Sequence, residues 1–425
     1  MATESVGGNS SMKESKLNEL IARQKERHGL EQVFYSDPDI YAKEIEQIYL
    51  RAWLYAGHQS EISNPGDWFL FEFANESVII VRSDENTITA LVNVCRHRGS
   101  RVRTEKNGCS KRLTCPYHGW TYALDGSLLV AAYMNEDFDK SAHSLRTIHC
   151  EILDGLIMVN FSDDPAPFSH FQDQLGEFIA PYDLASAKVA HRESYPVKAN
   201  WKLAVENYSE CYHCATAHKE YSKGHSLSRP WTQSVDLLNA VTAKRPACGL
   251  PTNTISNLHL DAPAFGVDAS YEFHPMWKGH LTGSENGQAI APFLGSISDY
   301  DGSATDMQLG PVCFSLLYCD HVLIYRFTPV SIDHTECDVT WLVRGDAEEG
   351  KDYDKDKLTW MWDVTTAADK RIIENNARGV ASSFYQPGPL SNMENYLSRF
   401  IDWYLKTLRQ DLPIEANETN KEASA

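Results

Sequence analysis

At 425 residues and 42% apolar composition the chain has material for two or three packed cores. A formal charge of −19 without a basic run excludes the electrostatic footprint of a nucleic-acid binder, and no apolar stretch approaches the ~18 residues of a membrane helix. Ten cysteines at irregular spacings fit a reducing, cytoplasmic setting rather than a disulfide framework.

In chain order, residues 1–15 are polar and lack a signal peptide's apolar core, which predicts an unstructured lead. Helical periodicity follows over 15–28 and 37–51, the second opened by Ser36-Asp37-Pro38, a cap followed by proline. Together these make an N-terminal unit over 1–50. Short apolar runs come next, FLFEF (69–73), SVIIVRS (77–83), ITALVNV (88–94) and LIMVNF (156–161), with turns between them. They predict an antiparallel β domain over 51–165. The Pro-rich DDPAPF (163–168) reads as a linker into a second domain over 166–425. There, helices are predicted at 170–184, 200–217, 354–380 and 392–410, with a run of strands over 313–344. Residues 220–310 read as loop-rich pocket walls, and 411–425 fade into polar residues. The fold class expected is α+β, a β domain followed by a helix-and-antiparallel-sheet domain.

The first domain carries CRHRG (95–99) and CPYHGW (115–120), a Cys-x-His followed by a Cys-x-x-His. Two thiolates and two neutral imidazoles are the ligand set of a Rieske [2Fe–2S] centre, with Cys95 and Cys115 on one iron and His97 and His118 on the other. Tetrahedral zinc also accepts Cys₂His₂ and is the competing reading. Zinc sites seldom pair these two spacings.

The second domain offers NWKLAVENYSECYHCATAH (200–218), with Glu206, Glu210, His213 and His218. On a continuous helix the first three recur at i, i+4 and i+7 and share one face. His218 would stand about 140° from His213, so both reach one metal only if the helix ends or widens there. Two histidines and a carboxylate form the facial triad of non-haem Fe(II), with positions left for O₂ and substrate. Asp369 of AADKRIIENNARGV (367–380) is the chosen third ligand, and Asp363 and Glu374 are its competitors. Cys211 and Cys214, either side of His213, read as buried thiols.

These motifs, in this order and spacing, resemble the oxygenase (alpha) subunits of Rieske non-haem iron oxygenases over nearly the whole chain. The resemblance implies a β Rieske domain, a catalytic domain with iron on His213, His218 and Asp369, and a flavin- or ferredoxin-type reductase that brings electrons from NADH. It also implies a homotrimer in which Glu210 joins a cluster histidine of one subunit to His213 of the next. Ring-hydroxylating members mostly carry Asp at that place. Glu210, ECYHC (210–214) and YQPGP (385–389) resemble instead the quaternary-ammonium branch, of glycine betaine type. That branch hydroxylates an N-methyl group and releases formaldehyde. Respiratory Rieske proteins add a disulfide between the cluster loops, but here those positions hold Ser100 and Tyr117. A methylammonium cannot donate a hydrogen bond, so aromatic faces should hold it. Tyr208, Phe265, Tyr271 and Trp277 are the candidates. An aromatic-ring dihydroxylating enzyme and a simple Rieske electron carrier are the alternative readings.

Overall fold

The computed structural model describes residues 16–225, 227, 231–256 and 269–409. Phe265 and the two polar ends, 1–15 and 411–425, lie outside the described residues.

Two seven-stranded antiparallel sheets and a three-stranded one form the frame. The first sheet uses β1 (Leu54–His58), β2 (Asp67–Phe73), β3 (Glu76–Arg82), β4 (Ile88–Val92) and β5 (Asn107–Cys109). The three-stranded sheet is β6 (Leu113–Thr114), β7 (Thr121–Tyr122) and β8 (Leu128–Val130). Then β9 (Thr147–Leu153) and β10 (Leu156–Asn160) complete the first sheet in the order β1-β10-β9-β4-β3-β2-β5. The run SVIIVRS is apolar without alternation because both faces of β3 are covered. Val78 and Ile80 join the main core, while Ile79 and Val81 join a smaller one beneath the three-stranded sheet.

The second sheet comprises β11 (Ala187–Val197), β12 (Ile255–Ser256), β13 (Ala269–Pro275), β14 (Ser303–Leu309), β15 (Cys313–Leu317), β16 (Val322–Ser331) and β17 (His334–Arg344). Its order, β11-β17-β16-β15-β14-β13-β12, makes every neighbour antiparallel. One face carries the Ser169–Ile179 helix, and the other the Trp201–Tyr208 and Lys355–Val380 helices. Four of these strands are not predicted by the sequence pattern. β11 lies between predicted helices, and β12, β13 and β14 fall in the loop-rich stretch 220–310, together with the Trp231–Lys244 helix. In β13 and β14 polar residues alternate with apolar ones because one face borders a cavity rather than a core.

Asp37 caps the Pro38–Glu44 helix as expected, its carboxylate accepting from the amides of Asp39 (2.8 Å) and Ile40 (3.2 Å). That helix delivers Glu44, fully buried, to Lys202 Nζ at 2.6 Å and Trp201 Nε1 at 2.8 Å. Removing one partner of such a buried pair costs about 3–5 kcal/mol, so the N-terminal unit anchors the helix that leads into the site. No described helix is long and apolar enough to cross a membrane.

Candidate metal centres and the cavity between the helices

Two loops project from the first domain, and they are built alike. In one, the Cys95 amide donates to the Ser100 carbonyl (2.8 Å) and the Gly99 amide to the Cys95 carbonyl (3.0 Å). In the other, Cys115 donates to Trp120 (2.8 Å) and Gly119 to Cys115 (3.1 Å). Gly99 (φ +78°) and Gly119 (φ +73°) take the left-handed conformation that closes each turn. Buried Asn93 fixes the first loop, accepting from the amides of Val102 and Arg103 (2.9 Å each).

The loops bring their donors together. Cys95 and Cys115 are buried and unpaired, and the Nδ1 atoms of His97 and His118 lie 3.2 Å apart on an exposed edge. Burial pushes the Cys95 thiol up, so a thiolate there needs a cation to hold it. A [2Fe–2S] cluster, with sulfurs inside and imidazoles at the rim, fits this donor set. Two residues not singled out from the sequence complete the surroundings. Trp120 stacks on His97 (4.9 Å), and the Tyr122 hydroxyl accepts from the Arg96 amide (3.1 Å), leaving its proton for Cys95 Sγ at 3.3 Å. Cys115→Ser is expected to abolish the visible absorbance of the cluster. Cys109→Ser and Cys150→Ser, away from the loops, should retain it. A full spectrum without Cys115 would overturn the ligand set.

In the second domain the helix does end where the two-histidine argument requires. Trp201–Tyr208 is capped by Asn200 and stops at Ser209, whose amide and hydroxyl both donate to Val205 O. The expectation that Glu206 and Glu210 share a helical face fails for this reason. Glu206 turns into the core and accepts from Tyr35 (2.9 Å), where burial pushes its carboxyl up to about 7. Glu210 starts the following turn and accepts from the amides of Tyr212 and His213. The same turn joins Cys211 to Cys214 in a disulfide, with their Cα atoms 5.0 Å apart, which corrects the free-thiol reading. A second break at His218 (φ −120°, ψ 72°) separates two short helices and swings its ring back toward His213.

Asp369 lies in the interior of the Lys355–Val380 helix. The Nε2 atoms of His213 and His218 are 3.1 Å apart, and Asp369 Oδ1 is 2.8 Å from His218 and 3.3 Å from His213. Among the described residues these three bring one ligand atom each to within 4.8 Å of one another, close enough to share a single ion. The competitors are engaged elsewhere, Asp363 with the Tyr195 hydroxyl and Glu374 with the Lys198 amide. Burial opposes charge on His213 and Asp369, yet the bonds of His213 to Asp369 and Glu210 lift the imidazole to about 9. Despite burial, the two imidazoles hold Asp369 below the usual carboxylate range. The trio thus calls for positive charge at its centre, which Fe(II) supplies, and the donor set is that of a facial triad. Behind it, Glu210 Oε1 accepts from His213 Nδ1 at 2.7 Å, fixing the ring so that Nε2 faces the other ligands.

A cavity of about 320 Å³ opens onto this trio. Tyr208 lines it, packed against Phe314 (4.5 Å) and Tyr325 (5.1 Å). Tyr221 and Trp362 line it too, and neither was singled out from the sequence. Tyr271 does not. Alternation along β13 sends Ser270, Glu272 and His274 into the cavity and Tyr271 to the opposite face. There its buried hydroxyl accepts from Arg245 (2.8 Å). Trp277 is also away from the cavity walls, its amide donating to Gly224 O (2.7 Å).

Comparison with known proteins matches both halves. The Rieske [2Fe-2S] domain family covers residues 52–147, and the ring hydroxylating alpha subunit (catalytic domain) family covers 184–410. A glycine betaine monooxygenase oxygenase subunit of Chromohalobacter salexigens is 35% identical over 94% of this chain and 90% of its own length. One of Pseudomonas aeruginosa PAO1 is 32% identical over 96% and 95%. A solved quaternary ammonium Rieske monooxygenase, CntA, has a TM-score of 0.70 at 21% identity, over 92% of this chain and 98% of that one. With both family matches and identity of this extent over more than nine-tenths of its length, the chain belongs to the alpha subunits of Rieske non-haem iron oxygenases.

Proposed function

We propose that this chain is the oxygenase subunit of a monooxygenase that hydroxylates an N-methyl group of a quaternary ammonium compound such as glycine betaine. Dioxygen and two electrons from NADH, carried by a reductase, place one oxygen on the methyl carbon and release the other as water. The N-hydroxymethyl product then loses formaldehyde and a proton, leaving the demethylated amine. Cys95, His97, Cys115 and His118 hold the cluster, and His213, His218 and Asp369 hold the iron. When bound, the two groups supply electron transfer and dioxygen activation.

The observation that carries this reading is the cavity itself, which joins the triad to a wall of aromatic faces. Each face that meets a methylammonium contributes about 0.5–2 kcal/mol. Tyr208 is held by ring packing on Phe314 and Tyr325, so it presents its face without further ordering. His225, stacked on Tyr221 (3.8 Å), is kept neutral by burial, with a pKa of about 4, and so adds no positive charge. Both glycine betaine monooxygenase relatives support the substrate class.

The cluster histidines are exposed on this chain, as a docking edge for a neighbouring subunit requires. We place the chain in a cytoplasmic homotrimer, with Glu210 at the junction. Incubation with a reductase, NADH and a panel of betaines is expected to yield formaldehyde stoichiometric with NADH for an N-methylated cation. Turnover confined to aromatic hydrocarbons, giving cis-diols, would refute the substrate class.

A further inference from the structure

The aromatic wall faces a second wall of different character. Antiparallel pairing sets Glu272 of β13 directly opposite Asp306 of β14, and both line the cavity. Carboxylates facing each other across a strand pair repel, and the pairing is destabilising unless positive charge offsets it. Among the described residues the only basic side chain within ion-pair distance of Asp306 is His274, at 3.2 Å, which is charged only when protonated and is itself more than half exposed (58%). Glu272 has a separate partner, accepting from the Tyr396 hydroxyl at 2.5 Å.

Asp306 lines the cavity and is half-buried, with 44% of its side-chain surface exposed. Burial pushes its carboxyl up, His274 counters this, and Glu272 adds to the rise. Its field reaches the aromatic wall. It adds to the burial that raises the Tyr208 and Tyr221 hydroxyls, and Tyr221 also feels Asp369. One cavity therefore holds aromatic faces, an under-compensated carboxylate and the metal trio together.

Building on the substrate class proposed above, we infer that Asp306 is the counter-ion of the substrate's quaternary nitrogen, a specificity-determining residue, with Glu272 reinforcing its field. Aromatic faces favour a trimethylammonium only through cation–π attraction, spread over the faces that enclose it. A carboxylate at the same head discriminates fixed positive charge from an uncharged group of equal shape. The site thus selects a permanent cation, with Tyr208 and Tyr221 enclosing the methyl groups while Asp306 balances the charge.

The test uses iron- and cluster-loaded enzyme, titrated anaerobically by calorimetry with pairs differing only at the head atom. One pair is glycine betaine and 3,3-dimethylbutanoate; the other is choline and 3,3-dimethylbutan-1-ol. Wild type should prefer the cation of a pair by at least about tenfold, and Asp306→Asn should reduce that preference by about tenfold. Binding of the carbon analogue and iron content should hold steady, and the melting temperature should not fall, since the substitution relieves the repulsion with Glu272. Asp306→Ser gives the same readout if the amide prevents folding. If wild type binds the cations and the preference survives in the folded variants, Asp306 is not the counter-ion although the substrate class stands. If wild type binds neither cation, the substrate class falls and this inference falls with it.

Discussion

Asp369→Ala is expected to abolish turnover and strip the mononuclear iron while leaving the Rieske spectrum and its reducibility unchanged. Asp369 contributes the only carboxylate among the three donors that converge within 4.8 Å. Without it, two neutral imidazoles would share a dication, and His213 would lose a partner that raises its basicity. Losses of outer hydrogen bonds around a metal typically cost 10–100-fold in affinity or activity. Loss of a direct ligand should exceed the upper end, giving a fall of more than about 100-fold in both. Asp363→Ala is the control, because that carboxylate bonds to Tyr195 and lies outside the trio. Iron analysis and oxygen uptake decide the matter. Full iron content in Asp369→Ala with loss in Asp363→Ala would reverse the assignment.

Glu210→Gln should separate the two metal centres without removing either. Glu210 is not among the converging donors, and it holds His213 Nδ1 at 2.7 Å from behind the ligand face. Glutamine can still accept that bond through its amide oxygen, so the ring stays in place and iron is retained. The negative charge that raises imidazole basicity is gone, as is the acceptor proposed for the neighbouring subunit's cluster histidine. Coupled turnover should drop by about 10–100-fold while the metals, cluster spectrum and trimer persist. Glu210→Asp, one methylene shorter, should be partly active. Rapid-mixing measurement of cluster reoxidation locates the defect in transfer between centres. Normal reoxidation in Glu210→Gln, or full activity from a monomer, would remove Glu210 from the electron path.

The chemistry was legible in short motifs because metal ligands are tied to local spacing. CRHRG and CPYHGW each place a cysteine, a histidine and a turn glycine in one loop, and those loops fold with matching hydrogen bonds. Apolar runs such as SVIIVRS declared strands because covered faces demand apolar residues. The pair His213 and His218 carried its own warning, since five residues on an unbroken helix cannot aim two rings at one point. The structure answers with breaks at Ser209 and His218.

What the sequence by itself determined is therefore the cofactor chemistry, the two sheet-based halves and the family, all written in contiguous residues. Tertiary structure alone separated Asp369 from its competitors and shaped the cavity walls. Asp369, Asp363 and Glu374 are equivalent acids on one helix until packing turns only the first toward the histidines. In S-Y-E-F-H (270–274), the residues a linear reading favours for a cation are the aromatic ones, and Tyr271 was chosen. The pleat of β13 buries it and presents Glu272 instead, opposite an Asp306 that lies 34 residues away and meets it only through strand pairing. Which face of a strand meets the cavity depends on what packs behind it, and that information resides in the assembled sheet.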